Sequence, residues 1–236
     1  MRNLILDLYC GAGYAAKGYA DQDFEVVGVD IEPQPNYPFQ FIKRDALTID
    51  PGWISARFDA VHASPPCQFG TSLRHAPGGK VHPNLIPATR ALLIASGLPY
   101  IIENVAGSWA HLVEPVMLCG SMFGLGANAK GRWHQLRRHR YFECSFPVTE
   151  PSPCAHFGPC IGIYGGHVRN RSSKHGGRST VDFVDCDRPA LAREAMGANW
   201  GTMAELSQGI PPAYTAHIAR ALKLHLDPWQ QFAARD

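Results

Sequence analysis

The chain has 236 residues, 45% of them hydrophobic and 18% charged, with a mean hydropathy of −0.16. That balance excludes a disordered or collagen-like chain, and one this long can bury a core without disulfide or metal staples. The formal charge of +2 hides an asymmetry: between Lys130 and Arg178 nine Lys and Arg stand against Glu143 and Glu150, so that stretch carries +7 and the remainder −5. Such concentrated basic charge fits contact with a polyanion or a solvated basic face.

The longest uncharged apolar run, Ala91–Ile102, falls short of the roughly 20 residues that cross a membrane. Met1-Arg2-Asn3-Leu4 leads directly into a strand-like run without a signal-peptide pattern, so an intracellular, cytoplasmic chain is expected. Seven cysteines, an odd number, are then expected as reduced thiols.

In chain order, Leu4–Tyr9 reads as a strand stopped by Gly11-Ala12-Gly13, and Tyr14–Ala20 as a helix. Phe24–Asp30, Phe39–Ile42 and Phe58–Ala63 read as strands, and Leu85–Ser96 as a helix before the strand Tyr100–Ile102. Pro115–Leu118 and Arg140–Cys144 are further strand candidates. Residues 145–187, rich in Gly, Pro, His and Arg, read as irregular. Helices return at Arg188–Met196, Met203–Leu206 and Pro212–Leu226. Strand–helix alternation predicts an α/β, Rossmann-like fold with a mostly parallel sheet and a small irregular insert. The predicted organisation is a catalytic domain of residues 1–145 and 188–236 interrupted by a short basic insert, 146–187.

Ligands of such sheets bind at the carboxyl ends of the strands, where Gly11, Asp30, Asp45, Cys67 and Glu103 all fall. The glycine turn lets a ligand approach the backbone, and Asp30, 19 residues beyond Gly11, is placed to bind a ribose. Tyr14-Ala15-Ala16 stands where a dinucleotide fingerprint would have its third glycine, which favours a nucleoside ligand without a pyrophosphate. In Ser64-Pro65-Pro66-Cys67-Gln68 two prolines hold a cysteine just past a strand, the setting of a nucleophilic thiol. The polar, glycine-containing stretch Phe69–Pro83 suits a loop that closes on substrate. Glu103 reads as a buried proton donor, and Arg138 and Arg140 share a strand face that reaches the same crevice. Cys144, Cys154, His156 and Cys160 offer a possible zinc set, but their spacing matches no usual pairing and no metal ligand is assigned.

Taken in order, Asp7-Leu8-Tyr9-Cys10-Gly11-Ala12-Gly13, Pro65-Pro66-Cys67-Gln68, Glu103-Asn104-Val105 and Arg138-His139-Arg140 resemble the signature motifs of the DNA cytosine-5 methyltransferases. Leu206–Tyr214 looks like that family's last two motifs run together. The resemblance covers about residues 3–142 and 190–226. It implies an S-adenosylmethionine site lined by Tyr9, Gly11, Ala12, Gly13, Asp30, Ile31, Asp45, Pro66 and Ala213, with S-adenosylhomocysteine as product. It further implies that Cys67 attacks C6 of a flipped cytosine, that Glu103 contacts the N3 and N4 edge, and that Arg138 and Arg140 stabilise the attacked base. Gln68, Ser72, Arg74 and Lys80 would face the nucleic acid, and Arg169, Arg171, Lys174 and Arg178 its phosphates. DNA is the expected partner, in a bacterial or phage-infected cell, with no membrane and no obligate protein partner.

The sequence departs from the family pattern in three places. Gln135 lies three residues before Arg138 instead of two, Pro211-Pro212 replaces a Gly-Asn pair, and the recognition region is very short. The last departure predicts a recognition sequence of about two to three bases. Alternative readings are methylation of cytosine in RNA or in a free nucleotide, and a non-catalytic nucleic-acid-binding regulator.

Overall fold

The computed structural model of the chain describes residues 3–67, 83–164, 183–186 and 188–227. The first half follows the alternation expected: β1 (Leu4–Leu8), α1 (Tyr14–Ala20), β2 (Glu25–Asp30), β3 (Gln40–Lys43), α2 (Pro51–Ser55), β4 (Ala60–Ala63), α3 (Ile86–Ser96) and β5 (Tyr100–Asn104). Local chemistry sets the ends of the helices. Asp50 caps α2 by accepting from the Trp53 N–H with Pro51 in the first turn, and Gly97 ends α3 in the left-handed region.

β1 to β5 are parallel, in the order β3-β2-β1-β4-β5. The sheet then continues antiparallel through β9 (Arg140–Cys144) to β6 (Val116–Leu118). Because side chains alternate across a strand, each strand feeds both faces. Ile5, Ala60, Ile101 and Phe142 pack with Tyr19 of α1 and with Tyr214, Ile218 and Leu222 of α6 (Pro212–Leu226). Leu6, Leu8, Val61 and Ile102 pack on the other face with Ile54, Ile86 and Leu93. α1 and α6 approach so closely at Gly18 that a β-carbon there would collide with the Pro212 carbonyl and the Thr215 hydroxyl.

The stretch expected to be irregular is partly ordered. Cys160–Gly162 (β10) and Phe183–Asp185 (β11) join β7 (Gly126–Ala129) and β8 (Arg132–Leu136) in a second sheet, ordered β11-β10-β8-β7. This sheet begins upstream of residue 146, inside the stretch assigned from sequence to the catalytic part. Ala127, Leu136 and Ile161 pack there with α4 (Pro189–Met196) and α5 (Met203–Gln208), and Tyr14 of α1 completes the cluster. The strands escaped notice because they are three to five residues long and β8 alternates polar residues with only one or two apolar ones. No helix among the described residues is long and apolar enough to cross a membrane.

One element of the core is expensive. Asp7, in the middle of β1, is fully buried, and neither its carboxylate oxygens nor the facing Tyr37 hydroxyl makes a hydrogen bond among the described residues. Burial, reinforced by the charge on Asp30 and only partly offset by the nearby Tyr37 hydroxyl, holds its carboxyl well above the ordinary range. The unfolded carboxyl ionises near pH 4 while the folded one resists, so the folded state binds more protons and stability must fall as pH rises. Asp7→Asn should abolish that decline: the variant's advantage in unfolding free energy should grow with pH above about 4, by at most about 1.4 kcal/mol per unit, in denaturant titrations across a pH series.

Candidate active site

At the carboxyl end of β1 the chain turns sharply. Tyr9, Gly11 and Gly13 all lie at positive φ, and Gly11 at +49° leaves open space where a side chain would be. The strain at Tyr9, a residue that rarely adopts this conformation, is held by its hydroxyl against Thr89 Oγ1 at 3.0 Å. The Gly11 N–H donates to Asp30 Oδ2 at 3.1 Å, and Asp30 Oδ1 accepts from the Glu32 N–H at 3.0 Å. Each carboxylate oxygen has two acceptor positions, so capacity for a diol remains. Ile31 is 59% exposed, and Asp45 caps the 3-10 turn Ala46–Thr48 just after β3. Trp200 covers the turn from the C-terminal side, donating from Nε1 to the Ala12 carbonyl at 2.8 Å and stacking on Tyr14.

β4 and β5 carry the second group. Asn104 donates from Nδ2 to the Pro65 carbonyl at 2.9 Å, which fixes the Pro65-Pro66-Cys67 segment against the end of β5. Pro65 is buried, Pro66 exposed and Cys67 half-buried. Glu103, buried as the fourth residue of β5, pairs with Arg140 Nε at 3.1 Å. Glu103 lies opposite Phe142 in the register, so Arg140, two residues earlier, sits on the same face one step along the strand.

The electrostatics suit proton transfer. Burial pushes the Cys67 thiol up, the Glu103 charge adds to this, and Arg140 and Arg138 pull it down. Burial likewise raises the Glu103 carboxyl, against the lowering effects of Arg140, the Ser64 hydroxyl and Arg138. Behind Ser64 runs a buried polar row. His62 Nε2 meets Ser64 Oγ at 2.9 Å, and His62 Nδ1 meets the Tyr19 hydroxyl at 2.9 Å. Burial drives His62 down to about 3, so it is a neutral imidazole.

The residues predicted from sequence therefore divide. Tyr9, Gly11, Gly13, Asp30, Ile31 and Asp45 cluster at the ends of β1 to β3, and Cys67, Glu103 and Arg140 at the adjoining ends of β4, β5 and β9. Arg138 sits near this group, but its guanidinium donates to the carbonyls of Ile163, Ser207 and Gly209 at 2.5–3.1 Å. Ala213 is half-buried in the first turn of α6, and the neighbouring Tyr214 hydroxyl donates to the Arg138 carbonyl at 2.6 Å. Gln68, Ser72, Arg74, Lys80, Arg169, Arg171, Lys174 and Arg178 lie outside the described residues. Gln135 serves the loop after β9, donating to the Ala155 carbonyl at 3.0 Å.

Sequence reasoning missed Ser64, His62 and Thr89, and gave Asn104 no task. The signal for His62 was a lone polar residue inside the apolar run Ala60–Ala63. It also grouped Cys144 and Cys160 with Cys154 and His156 and assigned no metal ligand. The structure instead gathers Cys119, His139, Cys154 and His156, from three separate segments.

The charges around Cys67 give an expectation with a sign. Glu103→Gln removes a negative neighbour, so Cys67 alkylation by iodoacetamide should become faster at a fixed neutral pH and its pH midpoint should fall. Arg140→Gln should do the opposite. Peptide mass mapping of the modified cysteine separates Cys67 from the buried Cys10, Cys119 and Cys186.

No protein-family model and no curated protein matches the chain. Solved structures do. A crystal structure of a Spodoptera frugiperda DNMT2 mutant superposes with a TM-score of 0.57 at 15% identity, covering 94% of this chain and 99% of that one. The S. pombe Dnmt2 methyltransferase gives 0.55 at 13% identity, over 94% and 99%. The Entamoeba histolytica methyltransferase EhMeth gives 0.55 at 9% identity, over 96% and 99%. At these identities the likeness establishes the architecture alone: the chain has the Rossmann-like α/β fold of these methyltransferases over nearly its whole length.

Proposed function

We propose that the protein methylates C5 of cytosine in DNA with S-adenosylmethionine as donor, through a covalent bond between Cys67 and C6. The observation that carries this reading is the convergence of a proline-held thiol with a buried, ion-paired glutamate. Asn104 anchors the Pro65 carbonyl, while its neighbour Glu103 pairs with Arg140 at 3.1 Å. An enzyme that methylates an amino nitrogen needs no thiol there.

The turn at Gly11 fits the donor. It offers open space beside the backbone, the Asp30 carboxylate can take the ribose hydroxyls, and exposed Ile31 can pack on an adenine ring. When bound, S-adenosylmethionine supplies an electrophilic methyl group. The protein's own residues must make C5 able to accept it. Cys67, deprotonated, bonds to C6, and the electrons of the C5–C6 double bond move into the ring. Glu103, its carboxyl raised by burial against the pull of Arg140, donates a proton to N3, and C5 becomes enamine-like. Arg140 keeps the resulting carboxylate paired. Once C5 has accepted the methyl group, N3 returns its proton to Glu103; loss of the C5 proton to a base, with expulsion of the Cys67 sulfur from C6 as thiolate, then restores the C5–C6 double bond. Because C6 is hidden in a base stack, the nucleotide must leave the duplex, at a cost of a few kcal/mol.

RNA is the second reading, favoured by the short basic insert, which offers little surface for reading a long duplex site. Oligonucleotides carrying 5-fluorocytosine, as duplex DNA and as RNA, incubated with donor, test both readings. A denaturation-resistant adduct on the DNA, absent in Cys67→Ala, is expected, with turnover of the Glu103→Gln variant on unmodified DNA lower by about 10²–10⁴-fold. An adduct on RNA alone would overturn the DNA assignment. No adduct on either would overturn the mechanism.

A further inference from the structure

Beyond the crevice the chain holds a second cluster of reactive side chains. Cys119 follows β6 and opens the 3-10 turn Gly120–Phe123. His139 stands between β8 and β9, and Cys154 and His156 belong to the loop after β9. Their four ligand atoms, two Sγ and two ring nitrogens, lie within 4.8 Å of one another. His156 Nε2 is 3.3 Å from Cys119 Sγ and 3.2 Å from Cys154 Sγ, and His139 Nε2 is 3.3 Å from Cys154 Sγ. The two imidazole rings stack 5.0 Å apart.

Hydrogen bonding alone explains this poorly. One ring nitrogen reaches both sulfurs and one sulfur reaches both rings, although each N–H or S–H has a single proton to give. A tetrahedral ion explains it directly. With Zn–S near 2.3 Å and Zn–N near 2.0–2.1 Å, neighbouring ligand atoms stand about 3.3–3.8 Å apart, close to the spacing seen.

We infer that Cys119, His139, Cys154 and His156 form a structural zinc site. The ligand set, two thiolates and two imidazoles, is soft enough to prefer zinc over magnesium or calcium and closes the coordination shell. Binding displaces one proton from each thiol to solvent, and the two thiolates cancel the charge of Zn²⁺. Ser121 already occupies an outer position, its hydroxyl donating to Cys119 Sγ at 3.3 Å and standing 3.6 Å from Cys154 Sγ. Both imidazoles bind through Nε2.

The site's position gives it a role. His139 lies between Arg138 and Arg140, so the ion fixes the turn from which Arg140 reaches Glu103. It also pins the loop after β9, which Gln135 and Arg137 hold through the carbonyls of Ala155 and Gly158. The inference rests on the side-chain cluster and stands whether or not the proposed methyl transfer is correct.

Elemental analysis of the full chain, purified without chelator, should give one zinc per chain. Replacement by Co²⁺ should give the intense visible bands of a tetrahedral thiolate site. Cys154→Ser and His156→Ala should weaken metal affinity by more than about 100-fold, and Ser121→Ala by about tenfold. His156 is exposed, and circular dichroism checks that its variant keeps the secondary structure. Cys144→Ser and Cys160→Ser should keep one zinc. A wild-type chain without stoichiometric zinc and with only the weak spectrum of octahedral Co²⁺, or metal lost equally in Cys160→Ser, would overturn the assignment.

Discussion

The ion pair between Glu103 and Arg140 is the constraint on which the rest of the site depends. A carboxylate buried on a sheet face would be forced into its neutral form by desolvation alone, and a guanidinium without a partner would be unstable there. Together they keep the glutamate titratable while it remains shielded from water. The pair forms only because β9 runs antiparallel beside β5 and puts residue 140 on the face of residue 103. Ser64 adds a hydroxyl from β4, with neutral His62 behind it. A single row of side chains on one sheet face thus sets the proton affinity of the Glu103 carboxyl.

The sheet order sets two groups of residues side by side along one edge. β3, β2 and β1 end in the residues proposed for an adenosine, while β4 and β5 end, and antiparallel β9 begins, in those proposed for the base. Arg138, which the motif pairs with Arg140, has a different environment: its donors go to carbonyls of residues 163, 207 and 209. That ties the second sheet to the segment ahead of α6. Burying this guanidinium is tolerable because several carbonyl oxygens receive it.

How much of this was legible in the sequence follows from the range of the interactions. Strands β1 to β5 and helices α1, α3 and α6 were readable because apolar runs and glycine or proline punctuation are local signals. The ends of those strands, with Asp30, Cys67 and Glu103, were readable for the same reason. The second sheet was not, since β10 and β11 take their stability from pairing and not from any pattern of their own. His62 and Ser64 were missed because their meaning lies in what faces them across the sheet. The cluster of Cys119, His139, Cys154 and His156 was not legible because spacing reveals a group only when its members come from one or two turns, and these come from three segments.

The reversal of β9 has an evolutionary consequence. A parallel strand would bring its last residues to the reacting edge and leave by a crossover; β9 brings its first residues there and departs at the far side. β8 of the second sheet therefore runs into the strand that carries Arg140 through residues 137–139. Loops between the short strands can change length or sequence while that three-residue splice keeps Arg140 in register with Glu103.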